Sequence, residues 1–478
     1  MKLFNKHKIK LSLIVAVMLF VSCEDWLSVG PGSEIKYDEM FSSKNGFKDQ
    51  ITGVYTALSS ETLYGANMTY GMMDALGQQY VWSLPNGNFH DFSKFEYNSV
   101  VSTSVINSVW STMYNTIANI NILLQGVEEY GDVLTDEERR LIEGEAYALR
   151  AFLHFDLLRI FGKSYSAGSN EKAIPYVSNI SKNVTPMSTV SEIIDLVLQD
   201  LIKAESLMKN DPIATGNQTD TFFGNRDFRF NYYAVRALMA RVYLYKNDKP
   251  NALENAKFVI ESARFPWTIR ERVTTPTREN RDGIFSSEAI FTLNNTALET
   301  LTGKYLREGL SSDKNNLLTI SGSVLNQIYE SDFYGGFDWR YNYYFEIQSN
   351  TLYGSSKLWQ YSLMPKEYAN RQPLIRVSEM YLIAAETESN RSNAVSYLNT
   401  LRNNRGIVEN FDLDENVTET ILINEIVKEY RKEFVGEGQW FFLCKRLNFD
   451  NLPNVVVPFN RSFYVLPIPT QEIEYGNR

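Results

Sequence analysis

The sequence predicts a mainly α-helical protein: one large domain of packed helices, with long aromatic-rich loops and minor β structure. Apolar residues in 47–58 and again in 105–120 recur at helical spacing and form one stripe each. Capping boxes at 135–138 (T-D-E-E) and 189–192 (T-V-S-E) mark the beginnings of two further amphipathic helices. The length and the 44% hydrophobic content allow a large core.

The first 22 residues are predicted to be a lipoprotein signal peptide. A basic start precedes an apolar run at 11–21, which is too short to cross a bilayer. The run ends in F-V-S-C at 20–23, which resembles a lipobox with Phe in place of the usual Leu. We therefore expect a lipid such as palmitate on Cys23 and a tether over 23–33. An ordinary signal peptide with an incidental cysteine is the alternative.

Net charge and cysteine content restrict which partners and which cellular location we expect for the protein. The net charge of −10, without a Lys/Arg-rich stretch beyond the signal, argues against nucleic acid as a partner. Acidic Glu24 and Asp25 beside Cys23 favour delivery to the outer membrane or the cell surface. If Cys23 is acylated, no disulfide can form, and Cys444 is expected to be a small buried hydrophobe.

Two later stretches predict pairs of antiparallel helices. The first pairs 231–245 with 250–262, and small residues at the expected contact face allow close approach. The second pairs 373–389 with 392–405, with Gly406 as the C-cap. Such hairpins resemble tetratricopeptide repeats, although their irregular spacing indicates degenerate repeats set within one domain.

Three long segments between the helices carry little periodicity: 67–101, 211–229 and 266–344. They are rich in Gly, Asn, Asp, Ser, Tyr and Trp. Loops of this length in a compact domain usually serve binding or hold minor structure of their own. Aromatic side chains make up 13% of the chain, and exposed rings suit recognition surfaces such as those that stack on sugars.

Several motifs, in this order, resemble those of the SusD/RagB family. They are E-G-E-A-Y-A-L-R-A-F-L-H-F-D-L-L-R-I-F-G at 143–162, D-W-R at 338–340, I-R-V-S-E-M-Y-L-I-A-A-E at 375–386, L-N-T-L-R-N-N-R-G at 398–406, E-Y-R-K-E-F-V-G-E-G at 429–438 and L-P-I-P at 466–469. The resemblance spans the chain from Cys23 to Arg478. It implies a SusD-like helical domain at 34–478, with an N-terminal part at about 34–230 and a C-terminal part at about 231–478.

The resemblance also implies a function. Proteins of this family are surface lipoproteins that capture oligo- or polysaccharides and pass them to a SusC-like, TonB-dependent outer-membrane transporter. We therefore expect a non-catalytic glycan-binding protein, held by its lipid on the outer membrane and facing the cell exterior. No cofactor or metal site is expected, and a structural calcium ion is not part of the prediction.

The loop at 79–86 resembles the family's ligand-binding loop in position. Its rings would stack on sugar faces, and neighbouring polar groups would bond hydroxyls; further aromatic candidates come from the segment 266–344. The candidate glycan-binding residues are Tyr80, Trp82, Asn86, His90, Trp267, Trp339 and Tyr341. Each aromatic ring could equally belong to the core, because rings supply much of the buried area of a protein.

Alternatives remain open at this point. A helical-barrel glycoside hydrolase or lyase would also be long, helical and aromatic, although no nucleophile elbow, HExxH, P-loop or dinucleotide fingerprint occurs. A peptide-binding member of the same family and a repeat scaffold that binds proteins are the others. The motif charges are interpreted as scaffold ion pairs formed within helices: Arg376 with Glu379, Glu145 with Arg150, and Asp156 with Arg159.

Overall fold

A computed structural model describes residues 36–82, 87–216, 221–311, 313–349 and 351–476. The predicted signal peptide, the lipidation site Cys23 and the tether at 23–33 lie outside the described residues. Within those ranges, no helix combines the length and the apolar character needed to cross a membrane.

Helices dominate the described chain. They are α1 (Tyr37–Phe41), α2 (Lys44–Leu58), α3 (Met72–Leu76), α4 (His90–Ser93), α5 (Val100–Tyr130), α6 (Asp136–Phe161), α7 (Tyr165–Gly168), α8 (Val190–Leu207), α9 (Pro212–Thr215), α10 (Thr221–Gly224), α11 (Tyr232–Tyr245), α12 (Lys249–Glu261), α13 (Arg270–Thr274), α14 (Leu298–Leu306), α15 (Gly322–Tyr329), α16 (Trp339–Tyr343), α17 (Val377–Thr387), α18 (Arg391–Asn403), α19 (Glu419–Glu433), α20 (Trp440–Arg446) and α21 (Thr470–Tyr475). The prediction of a mainly α protein is confirmed.

Short antiparallel strands complete the fold. They are β1 (Lys172–Pro175), β2 (Met187–Thr189), β3 (Ala289–Asn294), β4 (Ile320–Ser321), β5 (Phe345–Ser349), β6 (Leu352–Ser355) and β7 (Arg371–Arg376). β1 pairs with β2, β3 pairs with β7, and β6 lies between β4 and β5. The three-stranded sheet lies in and just after the long segment 266–344, so that segment holds minor β structure as expected.

The helices pack as successive hairpins around one core. α6 packs on α5 and α8, while α11 and α12 form a hairpin that continues through α17 to α18. One hydrophobic cluster includes residues from Phe41 to Leu466. The tetratricopeptide-like packing within one large core agrees with the sequence prediction.

Local signals set several helix ends correctly. At α6, the Glu138 backbone N–H donates to Thr135 Oγ1 (3.2 Å), and the Thr135 backbone N–H donates to Glu138 Oε2 (2.8 Å). Thr189 forms the same box with Glu192 at α8. α6 then ends at Phe161, with Gly162 as its C-cap. These polar groups satisfy backbone donors that the helix itself leaves unpaired.

The prediction that a helix begins at residue 373 is wrong. Residues 371–376 form β7, in which Pro373 lies opposite Thr292 of β3, and the helix begins only at Val377. Pairing with a distant strand overrides the local helical pattern. Likewise, Asn404 is the C-cap of α18, and Gly406 adopts a positive φ of 89° two residues later.

The motif charges are buried ion pairs, but two of the three predicted partnerships are wrong. The observed pairs are Arg376 with Glu433 and Glu437, Arg241 with Glu379, Arg226 and Arg229 with Glu145, Arg150 with Asp200, and Arg159 with Asp156. Only the last was predicted. Long side chains reach across between elements here, so spacing within one helix does not identify the partner.

Candidate ligand-binding site

The loop that was predicted to bind ligand begins on a fixed base. The Val81 backbone N–H donates to the Thr319 carbonyl oxygen (2.8 Å), which joins the loop to the edge of the three-stranded sheet. Tyr80 is only 8% exposed, and its hydroxyl donates to the Tyr70 carbonyl oxygen at 2.6 Å. Tyr80 therefore supports the loop from the core, and its ring is not a surface available for stacking.

Trp82 and His90 lie together beside this loop, and His90 is only 7% exposed. Their rings meet edge to face with 5.6 Å between centroids, and Trp82 is partly exposed. Trp82 Nε1 and His90 Nδ1 are both buried, and neither has a hydrogen-bond partner within the described ranges. Asn86 and its neighbours at 83–85 lie outside the described residues.

Residues that the sequence did not single out extend this site. The Asn88 side-chain amide lies 3.5 Å from the Tyr305 hydroxyl, and the Asn88 backbone N–H donates to Asn316 Oδ1 at 3.3 Å. We call Trp82, Asn88 and His90 the Trp82 platform. The segment 304–319 had no motif or periodicity to mark it. Only the folded structure, which places this segment beside the loop, identifies it as part of the site.

Two carboxylates lie near the platform: Asp91, whose Oδ1 is 3.7 Å from His90 Nδ1, and Glu61. The Tyr305 hydroxyl donates to Glu61, and Lys304 Nζ lies 2.7 Å from its Oε1. Although partial burial acts to raise the pKa of Glu61, the hydrogen bonds from Lys304 and Tyr305 lower it below the ordinary value. Glu61 is therefore ionised at neutral pH and cannot serve as a general acid, which needs a carboxyl that keeps its proton.

A second aromatic group lies against Arg307, which belongs to the segment 304–319. The Arg307 guanidinium lies 5.0 Å from the centroid of the Trp359 ring and 5.1 Å from that of Tyr361. Such cation–π contacts hold both rings and the arginine in a fixed arrangement. Neither Trp359 nor Tyr361 was predicted, although the W-x-Y spacing within a loop was a usable signal.

Trp339 lines an open cleft of about 740 Å³, the Trp339 cleft. Its walls come from α13, from α16 with the preceding turn, and from the segment after α18. The lining residues are Arg270, Thr274, Gly336, Phe337, Trp339, Asn342, Tyr343, Asn403, Gly406, Ile407, Val408, Glu409 and Asn410. The cleft shares none of its lining with the Trp82 platform, so the structure divides the sequence candidates between two places.

The remaining two candidates pack on the scaffold. The Trp267 ring lies 4.8 Å from that of Tyr381, and the Arg405 guanidinium lies 5.2 Å from the Trp267 ring. The Tyr341 hydroxyl donates to Asn326 Oδ1 at 2.6 Å. Both side chains are partly buried. These contacts hold both side chains against the scaffold.

The platform can stack on an apolar face and offer ring N–H and amide groups to hydroxyls. Among the residues that the structure describes, no group of three or more His, Cys, Asp or Glu side chains is placed to hold a metal ion. Asn88, His90 and Trp82 therefore point to recognition of a polar ligand with apolar faces.

Two family models together match most of the chain. Residues 25–244 match a family model described as "Starch-binding associating with outer membrane". Residues 199–454 match the model described as "SusD family". SusD-like protein P2 of Formosa agariphila is 23% identical and covers 98% of this chain and 97% of its own length. SusD-like protein P38 of the same organism is 25% identical over 57% of this chain and 49% of its own length.

Solved structures share the fold. A SusD superfamily protein of Bacteroides thetaiotaomicron superposes with a TM-score of 0.71 at 22% identity, covering 91% of this chain and 98% of its own. Surface glycan-binding protein A of the same organism, solved in complex with laminarihexaose, gives a TM-score of 0.67 at 17% identity with the same coverage.

Proposed function

The chain belongs to the SusD family, and from this premise we propose that it binds an oligo- or polysaccharide at the Trp82 platform without cleaving it. The structural neighbour solved with laminarihexaose supports a carbohydrate as the ligand class. The family model described as starch-binding and associating with the outer membrane supports both the ligand class and the location.

One observation carries the proposal. Trp82 Nε1 and His90 Nδ1 are buried close together, and neither has a hydrogen-bond partner in the described chain; the nearest carboxylate oxygen, Asp91 Oδ1, lies 3.7 Å from His90 Nδ1. Buried polar groups are nearly always hydrogen-bonded, so two ring nitrogens without such bonds beside one loop are candidates to bond a ligand. Sugar hydroxyls supply such partners, and the indole face beside them suits the C–H face of a pyranose ring.

The proposed setting is the outer face of the outer membrane. A lipid on Cys23 would hold the protein there through the tether at 23–33. The bound glycan would then pass to a SusC-like, TonB-dependent transporter. Because the lipid keeps the protein beside its transporter, binding can be weak enough to release the cargo.

Affinity electrophoresis tests the binding directly. The purified protein is run in native gels with and without amylopectin or laminarin, and we expect retarded migration in at least one of them. Phe333→Ala serves as a matched control, because Phe333 is 76% exposed and lies outside both the platform and the cleft. If the protein migrates normally in both gels and is instead retained on a column of immobilised peptide, the ligand is a peptide and the glycan proposal is contradicted.

A second assay separates binding from catalysis. The protein is incubated with the retained polysaccharide, and new reducing ends and unsaturated products are measured over time. We expect neither to exceed the level in a protein-free sample. Release of oligosaccharides at a rate proportional to protein concentration would favour the hydrolase or lyase and contradict the proposal.

A further inference from the structure

We infer that the Trp339 cleft is a second sugar-binding subsite, separate from the Trp82 platform. The protein would then bind one extended glycan at two places. The inference rests on the proposed function for the class of ligand and adds a site and a length requirement to it.

One buried ion cluster holds residues of the cleft in place. Trp339 stands between Asp338 and Arg340, which pair with each other at 2.7 Å, and Arg340 also pairs with Glu433 at 3.0 Å. Arg405, which precedes the cleft residue Gly406, pairs with the same Glu433 at 2.7 Å. The Trp339 backbone N–H donates to the Arg405 carbonyl oxygen at 2.8 Å. The indole is therefore preorganised before a ligand arrives.

Gly406 fits this arrangement because it has no side chain. Its φ is +89°, and an added Cβ would lie 2.2 Å from Trp339 Nε1. The indole thus packs directly against the glycine backbone. The neighbouring Phe337 side chain is 49% exposed. Trp339 and Phe337 together form an apolar surface on the cleft wall.

Polar groups surround this apolar surface. Asn342 and Asn410 are exposed, and Arg270 contributes a guanidinium group from α13. Asn403 also lines the cleft, and within the described ranges its buried amide oxygen has no hydrogen-bond donor. Aromatic faces bordered by amides and a guanidinium match a pyranose ring, which is apolar on its faces and hydroxylated at its rim.

A continuous set of side chains connects the cleft with the platform. Tyr343 lines the cleft, and the Arg281 guanidinium lies 5.2 Å from its ring. Arg281 and Tyr343 also border a small pocket with Trp359 and Tyr361.

Arg307 lies over those two rings and so continues the path. It follows Tyr305 by two residues in the chain, and the Tyr305 hydroxyl contacts Asn88 of the platform. Trp359 is 5% exposed and Tyr305 1%, so these contacts link the two places through the scaffold and are not themselves a surface for sugar units.

Two linked subsites make affinity depend on ligand length. A short oligosaccharide occupies one subsite, whereas a long chain occupies both, and the second contact then forms at high effective concentration. Loss of one subsite should thus weaken the binding of long chains without affecting a short fragment bound at the other.

The test compares Trp339→Ala, Trp82→Ala and the control Phe333→Ala. The probes are the polysaccharide retained in the gels, tried first as amylopectin and laminarin, and a short oligosaccharide prepared from it. We expect Trp339→Ala to weaken polysaccharide binding at least about tenfold and to leave the short oligosaccharide unchanged. Trp82→Ala should weaken both. Phe337→Ala repeats the test if Trp339→Ala lowers the melting temperature.

Unchanged polysaccharide binding by folded Trp339→Ala or Phe337→Ala would overturn the second subsite. Equal weakening of both probes by Trp339→Ala would overturn the two-subsite arrangement, because the cleft would then be the only site. If wild-type protein is retained by neither polysaccharide nor oligosaccharide, the proposed function itself fails, and this inference fails with it.

Discussion

Arg340 and Glu433 form an ion pair inside the protein, with 3.0 Å between Arg340 Nη1 and Glu433 Oε2 and side chains 2% and 0% exposed. Burial opposes ionisation, but the guanidinium groups of Arg405 and Arg376 hold the pKa of Glu433 well below its ordinary value. One carboxylate thus joins α16, β7 and the segment after α18 to α19. The same pair fixes the wall on which Trp339 stands.

Glu433→Gln should lower the free energy of unfolding strongly. The change removes the negative charge that pairs with three buried guanidinium groups. Removing one partner of a buried ion pair costs about 3–5 kcal/mol. Urea unfolding followed by circular dichroism measures it. Asp450→Asn is the control, because the Asp450 and Arg461 side chains are 88% and 49% exposed and such surface pairs contribute little. Equal stability of both variants would contradict a structural role for the cluster.

Asp74 should make stability depend on pH. Burial raises the pKa of Asp74 to about 7, although the backbone N–H groups of Gly436 and Gly438 donate to it and act to lower the pKa. The unfolded value is about 3.9, so the folded state favours the protonated form. The resulting stabilisation is complete below about pH 4 and is lost as pH rises to about 7.

Asp74→Asn removes this titration, whatever its effect on absolute stability. The difference in unfolding free energy between the variant and the wild type should therefore shift in favour of the variant as pH rises from about 4 to about 7. Urea unfolding at several pH values in that range measures the difference. A difference that is constant with pH would show that Asp74 keeps its ordinary pKa.

Two glycine substitutions should act in opposite directions. Gly406→Ala forces a Cβ against the Trp339 indole at a positive φ, so we expect a loss of more than about 1 kcal/mol. Gly53→Ala, in the exposed part of α2, meets nothing within 4 Å and should gain about 0.5–1 kcal/mol. Thermal unfolding compares them. A neutral Gly406→Ala would mean that the indole does not depend on this contact.

The sequence predicted those elements whose conformation depends on residues close by in the chain. Capping boxes and apolar periodicity located α6 and α8, because those signals act within a few residues. β7 was missed, since its partner β3 lies about eighty residues earlier and pairing decides its conformation. The partners of Glu145 and Arg376 were missed for the same reason. Cys444 is buried as expected, and burial raises the pKa of its thiol.

The arrangement of the candidate site could be predicted only in part. Trp82 and His90 were identified from the loop and do lie together, whereas Tyr80 supports the loop from the core. Tyr305 could not be predicted, because only the fold brings it beside that loop. Trp359 was missed although its W-x-Y spacing was a usable signal. Aromatic content alone does not distinguish a ring that faces a ligand from a ring that fills the core.

Cys23→Ala should abolish lipid attachment. Labelling with radioactive palmitate in a Gram-negative host should mark the wild-type protein and leave the variant unlabelled and released from membranes. Cys444→Ala is the matched control and should remain labelled, since Cys444 is fully buried. Labelling of Cys23→Ala would contradict the proposed anchor.

Trp82→Ala tests the central claim most directly. Affinity electrophoresis against the retained polysaccharide, with the melting temperature measured on the same sample, separates ligand binding from folding. We expect binding to weaken at least about tenfold, equivalent to about 1.4 kcal/mol, and the melting temperature to stay close to that of the Phe333→Ala control. Unchanged binding by a folded Trp82→Ala protein, or a large fall in melting temperature that marks Trp82 as a core residue, would contradict the account.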